Sequence, residues 1–349
     1  MSSVSKPRVD WVDAVKGITI ILVVMQHTTY GNANVFAQSP DIFLRIVEWA
    51  QPFRMPLFFL VAGLFAQKAL FAPTRPFLDS KIAHFAYFYL VWSLIQIGLK
   101  IIVPHEGGAS VTIQDLALAL IEPFGILWFI YILALFFATM RLTRHVRPAI
   151  ILAFAFTLFM ARPQTGWTLP DEFAHRFIFF VSGVYAAPRI FEMAEWALEH
   201  AHRATILSTA MLGMVALTVF SGLAQHNVLE LMAGYAGALA TIMLVALLTS
   251  KNLAHPLAYI GARSLSIYLA FFIPMAASRI VMAKLGMNDG DIATLIAIML
   301  GVALPLIANR ITSGTALAFL FERPIFFKIP PAQRVPASSG KDRLANGFL

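Results

Sequence analysis

The stretch Lys16-Gly-Ile-Thr-Ile-Ile-Leu-Val-Val-Met-Gln-His27 decides the fold, because a mostly apolar run is bounded there by two ionisable residues. Such a run predicts a membrane-spanning helix. Eleven steps of about 100° bring a helix back to within about 20° of its starting direction, so Lys16 and His27 share one face, roughly 16 Å apart along the axis. A lysine at a helix start can anchor to the membrane surface. A histidine near the midplane is costly and usually faces a protein interior or a water-filled path.

The composition extends the membrane prediction to the whole chain. Of the 349 residues, 59% are hydrophobic and 13% are charged, about half of the charged share usual in soluble proteins. The chain has no cysteine, which excludes disulfides, thiolate nucleophiles and Cys-based metal sites. Apolar stretches predict an all-α, polytopic transmembrane helical bundle of about ten spans, at residues 14–31, 53–71, 82–103, 123–140, 148–161, 173–188, 204–223, 229–249, 264–285 and 291–309.

The charges indicate how the bundle lies in the bilayer. The net charge of +8 is spread over short loops, which favours a lipid bilayer over nucleic acid as the partner. With a cytoplasmic N-terminus, 19 of the 26 Lys and Arg residues fall on cytoplasmic segments. This bias predicts an even number of spans with both termini in the cytoplasm. We expect a cytoplasmic segment at 1–13, a membrane domain at 14–325 and a disordered cytoplasmic tail at 326–349.

Three residues of the first span are candidates for chemistry. A neutral imidazole can accept a proton near pH 7, so His27 is a candidate general base. The alternative is a histidine hydrogen-bonded to a neighbouring helix. Asp13 lies three residues before Lys16, within reach on the same side of the helix. The pair forms either an interface anchor with its counter-ion or a site where Lys16 binds the phosphates of a cytoplasmic cofactor.

The next candidates surround the start of the second predicted span. Arg54, between two prolines at the outer boundary, either points inward to an anion or a developing oxyanion, or snorkels to the interface. Before it, polar residues at three- and four-residue spacing predict a short amphipathic helix on the outer interface: Asp41, Arg45, Glu48 and Gln51. That helix is mainly structural, and Glu48 is its candidate for orienting a base or receiving an acceptor sugar.

Aromatic and hydroxyl groups complete the set. Trp128 and Trp167 lie near predicted outer ends, where they either form an aromatic belt or stack on a sugar. Ser266 and Tyr268 either hydrogen-bond a neighbouring helix or line a path. The sequence has no Gly-x-Ser-x-Gly elbow, no His-Glu-x-x-His zinc pair and no phosphate-binding loop, and we expect no metal.

Four stretches, in order along the chain, resemble motifs of the acyltransferase 3 family of membrane proteins. They are Asp13-Ala-Val-Lys16-Gly with His27, and residues 52–63, 127–133 and 264–269. The resemblance covers residues from about 8 to 325, and it is greatest to the small, single-domain branch related to fucose 4-O-acetylases. Two departures stand out: no histidine follows Tyr268, and the second motif ends in Ala-Gly instead of Ser-Gly.

The resemblance implies about ten helices and transfer of an acyl group, commonly acetyl, from cytoplasmic acyl-CoA to a hydroxyl, usually of a carbohydrate. It implies that His27 is catalytic, that Lys16 is the matching basic residue, and that Arg54 is the basic position of the second motif. The expected location is a bacterial cytoplasmic (inner) membrane, with a carbohydrate or lipid-linked acceptor. His27 would act as base or as acyl carrier.

Two other functions stay open. One is a proton-coupled transporter or flippase in which His27 relays protons. The other is an inactive family member that serves as a sensor or scaffold, which the missing late histidine would allow. Labelled acetyl-CoA separates the leading hypothesis from both, because only an acyltransferase moves the label to an acceptor.

Overall fold

The computed structural model of the protein describes residues 10–102, 112 and 114–330. Within these ranges the secondary structure is helical, without β-strands, so the all-α prediction is confirmed. Residues 1–9 of the predicted N-terminal segment and 331–349 of the predicted tail lie outside the described residues. The helices are α1 (Asp10–Asn32), α2 (Asp41–Leu64), α3 (Ala66–Leu70), α4 (Thr74–Phe77), α5 (His84–Ile102), α6 (Gln114–Leu118), α7 (Trp128–Leu142), α8 (Pro148–Ala161), α9 (Thr168–Glu199), α10 (Ala201–Phe220), α11 (Asn227–Ser250), α12 (His255–Gly261), α13 (Ser264–Ala270), α14 (Phe272–Lys284) and α15 (Gly290–Thr312).

The described chain forms a multi-pass helical membrane protein. Six of its helical segments are long and apolar enough to cross a membrane, and α13 with α14 makes a seventh if the pair, bent by 50°, is one span. Neither α1 nor α2 is among them, because ionisable residues lower the hydropathy of both. Each of the ten predicted stretches overlaps a helix, and the count of ten crossings stays a prediction.

The first helix, α1, lies inside the bundle, packed against α2, α11, α12, α13 and α15. Its contact with α12 is so close that added side-chain atoms would collide. A Cβ on Gly261 would meet the backbone oxygen of Asp13, and a Cβ on Gly17 would meet that of Leu257. Small residues at such contacts let helix backbones approach in a membrane. This close contact with α12 holds in place the end of α1 that carries Lys16.

The second helix corrects two expectations. The predicted interfacial helix and the second predicted span form one continuous helix, α2, and the prolines expected at its start, Pro52 and Pro56, lie inside it. Pro56 has no N–H to offer the carbonyl of Pro52, four residues earlier. Membrane helices tolerate such gaps because neighbouring helices pack against them. As a result Arg54 lies in the middle of a buried helix, not at its outer end.

Glycines also set the position of α2 against its neighbours. Gly63 and Gly183 face each other where α2 crosses α9, and a Cβ on Gly63 would lie 2.9 Å from the Cα of Gly183. On the α11 side, a Cβ on Gly234 would lie 3.0 Å from the carbonyl oxygen of Pro52, and Gly237 packs on the ring of Phe53. Gly234 and Gly237 thus allow α2 and α11 to approach closely.

Candidate functional site

A cavity of about 200 Å³ lies where α1, α2, α7, α9 and α13 meet. His27 and Arg54 both line it, together with Trp128 and Tyr268. Four motifs that are far apart in the sequence therefore contribute to one site. The other lining residues are Val23, Gln26, Met55, Phe58, Ile126, Phe129, Glu172 and Arg176.

His27 enters this cavity from the half of α1 away from Lys16. Its ring packs against the ring of Phe271, with the centroids 5.5 Å apart. No described residue forms a hydrogen bond with the imidazole. The alternative prediction, in which His27 is hydrogen-bonded to a neighbouring helix, is therefore not observed in the described part of the chain. The ring nitrogens are therefore available to a ligand. Phe271 comes from the segment after Tyr268 that lacks the expected late histidine.

Arg54 is buried, with 5% of its surface exposed. Its Nε and Nη1 atoms have no hydrogen-bond acceptor in the described part of the chain, and no carboxylate there forms an ion pair with it. Arg54 therefore does not snorkel to a surface. A buried guanidinium in this state can hold negative charge that arrives with a ligand.

Two cavity residues were not singled out by the sequence interpretation. Glu172 and Arg176 lie one turn apart on α9, and Arg176 Nε donates to Glu172 Oε2 at 2.8 Å. The sequence did contain a signal, because a Glu and an Arg four residues apart at the start of a predicted apolar span lie on one helix face.

Tyr268 and Ser266 connect α13 to its neighbours. The Tyr268 hydroxyl donates to the backbone oxygen of Ile126, just before α7, and its ring lies 5.5 Å from that of Phe129. Ser266 Oγ accepts from Asn309 Nδ2 at 3.0 Å. Both predicted roles of Tyr268 occur together, since it bonds a neighbour and lines the cavity. By holding the start of α7 it also positions Trp128.

Glu48 and Trp167 are not among the residues that the cavity brings together. The Glu48 side chain is 44% exposed and lies 3.7 Å from Arg45 on the same helix. Trp167 is 47% exposed in the loop before α9. Neither residue is among those that line the cavity.

A second polar cluster pairs Lys16 with Asp13 at the opposite end of α1. Lys16 Nζ donates to Asp13 Oδ1 at 3.1 Å, and a third of the lysine side chain is exposed. Lys81 lies nearby, with its ammonium 4.5 Å from the centre of the Phe137 ring. The predicted cytoplasmic end thus presents two cations close together, a suitable arrangement for a multiply charged anion.

A third cluster ties α9 to α11 away from the cavity. Glu230 accepts from His175 Nε2 at 3.0 Å and lies 2.9 Å from Arg162 Nη1. Its carboxylate is 13% exposed and joins three parts of the chain. None of these three residues lines the cavity, and the cluster joins α9 and the segment before it to α11.

Replacing Glu230 with glutamine should destabilise the folded protein by about 1–3 kcal/mol, because the largely buried His175 and the partly exposed Arg162 both lose their anion. Thermal unfolding of purified protein in detergent measures this. Glu195→Gln, an exposed change on α9, is the matched control and should leave the unfolding temperature unchanged. Equal unfolding temperatures for the two variants would show that the cluster does not stabilise the bundle.

Comparison with known proteins identifies the type of domain. A family model described as an acyltransferase domain, Acyl_transf_3, matches residues 9–310. The matched range contains every residue that lines the cavity and also the Lys16–Asp13 pair. No curated protein and no solved structure matches the chain.

Proposed function

The chain belongs to the acyltransferase 3 family, and from this we propose that it transfers an acyl group, in the first instance acetyl, from cytoplasmic acyl-CoA to a hydroxyl of a carbohydrate or lipid-linked acceptor. Membership of this family, together with helices long and apolar enough to cross a membrane, identifies the chain as a membrane acyltransferase. The proposed location is a bacterial cytoplasmic membrane. The observation that carries the proposal is the cavity shared by His27 and Arg54, on the helix whose other end holds Lys16.

In the proposed reaction His27 is the general base. A free ring nitrogen takes the proton from the acceptor hydroxyl. The hydroxyl oxygen attacks the thioester carbonyl carbon at the same time and forms a C–O bond. The C–S bond then breaks, and the leaving CoA sulfur takes the proton back from the imidazolium. Arg54 stabilises the negative charge that develops on the carbonyl oxygen between these steps. The same imidazole could instead carry the acyl group briefly, with the same overall balance.

In this proposal Lys16 and Lys81 hold the phosphates of CoA at the cytoplasmic end. The distance along α1, roughly 16 Å, would then be spanned by the extended pantetheine arm of CoA. Asp13 would set the direction of the Lys16 side chain through the 3.1 Å contact. The aromatic wall that includes Trp128 and Phe58 would pack against the acceptor.

Lys16→Gln should raise the KM for acetyl-CoA about tenfold or more, with a smaller change in kcat, because a charge-assisted contact to phosphate is lost before the chemical step. Initial rates at varied acetyl-CoA concentration measure this. Lys68→Gln, which removes an exposed lysine at the same predicted membrane face, is the control. An unchanged KM in the Lys16 variant would remove Lys16 from the donor site.

The proposed function is tested by incubating membranes that contain the protein with labelled acetyl-CoA. Label that appears on glycan or lipid, in ester linkage, supports acyl transfer. Uptake of a solute that needs no CoA and follows a pH gradient would instead support the proton-coupled transporter or flippase. Absence of both activities would favour an inactive scaffold.

A further inference from the structure

The cavity carries more positive than negative charge. Among the described residues that line it, Arg54 and Arg176 are cations and Glu172 is the one carboxylate. Glu172 is already paired with Arg176 at 2.8 Å. Arg54 is therefore left without a counter-ion in the described part of the chain, although only 5% of its surface is exposed.

An uncompensated guanidinium inside a membrane bundle is costly. Its Nε and Nη1 lack acceptors among the residues described, so the cost is not offset by hydrogen bonds there. Ionisable residues inside a membrane bundle mark substrate or ion pathways and pair with a partner there. The missing partner should therefore be an anion that arrives with the substrate.

We propose that the acceptor is acidic and that Arg54 and Arg176 together bind its carboxylate or phosphate group. Arg54 has five N–H donors, and those that this group leaves unused face the carbonyl oxygen of the thioester. This inference rests on the proposed function, since it names the class of molecule that receives the acyl group. The planar guanidinium fork suits both oxyanions, and two arginines on facing helices can hold one group from two sides. Glu172 is then a positioning residue that keeps Arg176 directed at the cavity.

The rest of the cavity suits the same class of molecule. Its volume of about 200 Å³ is below the roughly 300–1,000 Å³ of pockets for drug-sized ligands, so it admits one small acidic unit. Trp128 and Phe58 supply an apolar wall for the face of a sugar ring. His27 lies in the same space, so a hydroxyl on the bound unit would be within the reach of the base.

Binding without acyl-CoA tests this proposal separately from the reaction. Full-length protein in lipid nanodiscs is titrated calorimetrically with methyl β-glucuronide, glucose 1-phosphate and neutral methyl β-glucoside at constant ionic strength. At least one acidic sugar should bind tenfold or more tightly than the neutral one, and the two acidic probes distinguish carboxylate from phosphate. Arg54→Met and Arg176→Met should each abolish the preference, whereas Arg45→Met, an exposed change on α2, should keep it.

Thermal unfolding of the same samples shows whether the variants fold. Arg54→Met should unfold at a higher temperature than wild type without ligand, since it removes the unpaired charge. The proposal is overturned if neither acidic sugar binds better than methyl β-glucoside, if the preference survives in Arg54→Met, or if this variant unfolds at a lower temperature. Binding of an acidic sugar without acyl transfer would reject the proposed function and leave the anion site standing.

Discussion

Replacing His27 with glutamine should lower the rate of acyl transfer by about 10²- to 10⁴-fold, the contribution of a general base. Glutamine fills a similar space but cannot take a proton from the acceptor hydroxyl. Because the imidazole makes no hydrogen bond within the described residues, the change should leave the bundle intact. The measurement is the initial rate of label transfer from acetyl-CoA, in membranes that contain equal amounts of each protein.

The control for this variant is His202→Gln, which alters an exposed histidine on α10. It should transfer label at the wild-type rate. A His27→Gln protein that unfolds at the wild-type temperature and retains the wild-type rate would show that the imidazole is neither base nor carrier. Trapping label on the wild-type enzyme, but not on the variant, would identify the carrier mechanism.

Replacing Gly183 with leucine should destroy the folded protein. Its Cβ would collide with the backbone of α2 at Leu60, where Gly63 also lies, and backbone atoms cannot swing aside as a flexible side chain can. Overpacking of a core costs about 1–3 kcal/mol, and forcing two helices apart should cost more. Separation of α2 from α9 would also part Arg54 from Arg176 and so open the cavity.

Gly213→Leu gives the matched comparison, because nothing described lies within 4 Å of a Cβ built on that α10 glycine. Size-exclusion profiles and unfolding temperatures in detergent distinguish the two variants. We expect a normal profile for Gly213→Leu and aggregated or absent protein for Gly183→Leu. A stable, monodisperse Gly183→Leu protein would mean that the close α2–α9 contact is not needed for the fold.

Much of the site could be predicted from the sequence because its key residues interrupt apolar runs. His27 and Arg54 are conspicuous for that reason, and both line the cavity. The sequence leaves Trp128 two roles, because an aromatic residue at a helix end serves a membrane interface or a ligand equally well. Only the packing of helices from distant parts of the chain separates those roles.

The residues missed by sequence interpretation show where local patterns fail. Glu172 and Arg176 form an ion pair across one helical turn, which satisfies both charges locally, so the local pattern does not show that they line a cavity. Glu48 was the candidate for orienting a base or receiving an acceptor sugar, yet its side chain is half-exposed beside Arg45. The continuity of α2 through two prolines depends on the helices around it.

The central claim is that the acyl donor binds from the Lys16 end of α1 and meets the acceptor hydroxyl at His27. Sealed vesicles of opposite orientation test this claim most directly. Labelled acetyl-CoA is added outside inverted vesicles, which expose the predicted cytoplasmic face with Lys16, and outside right-side-out vesicles, which do not. We expect alkali-labile label on an acceptor only in inverted vesicles with wild-type protein, and background levels with His27→Gln. Equal label in both orientations, or undiminished label with His27→Gln, would contradict the account.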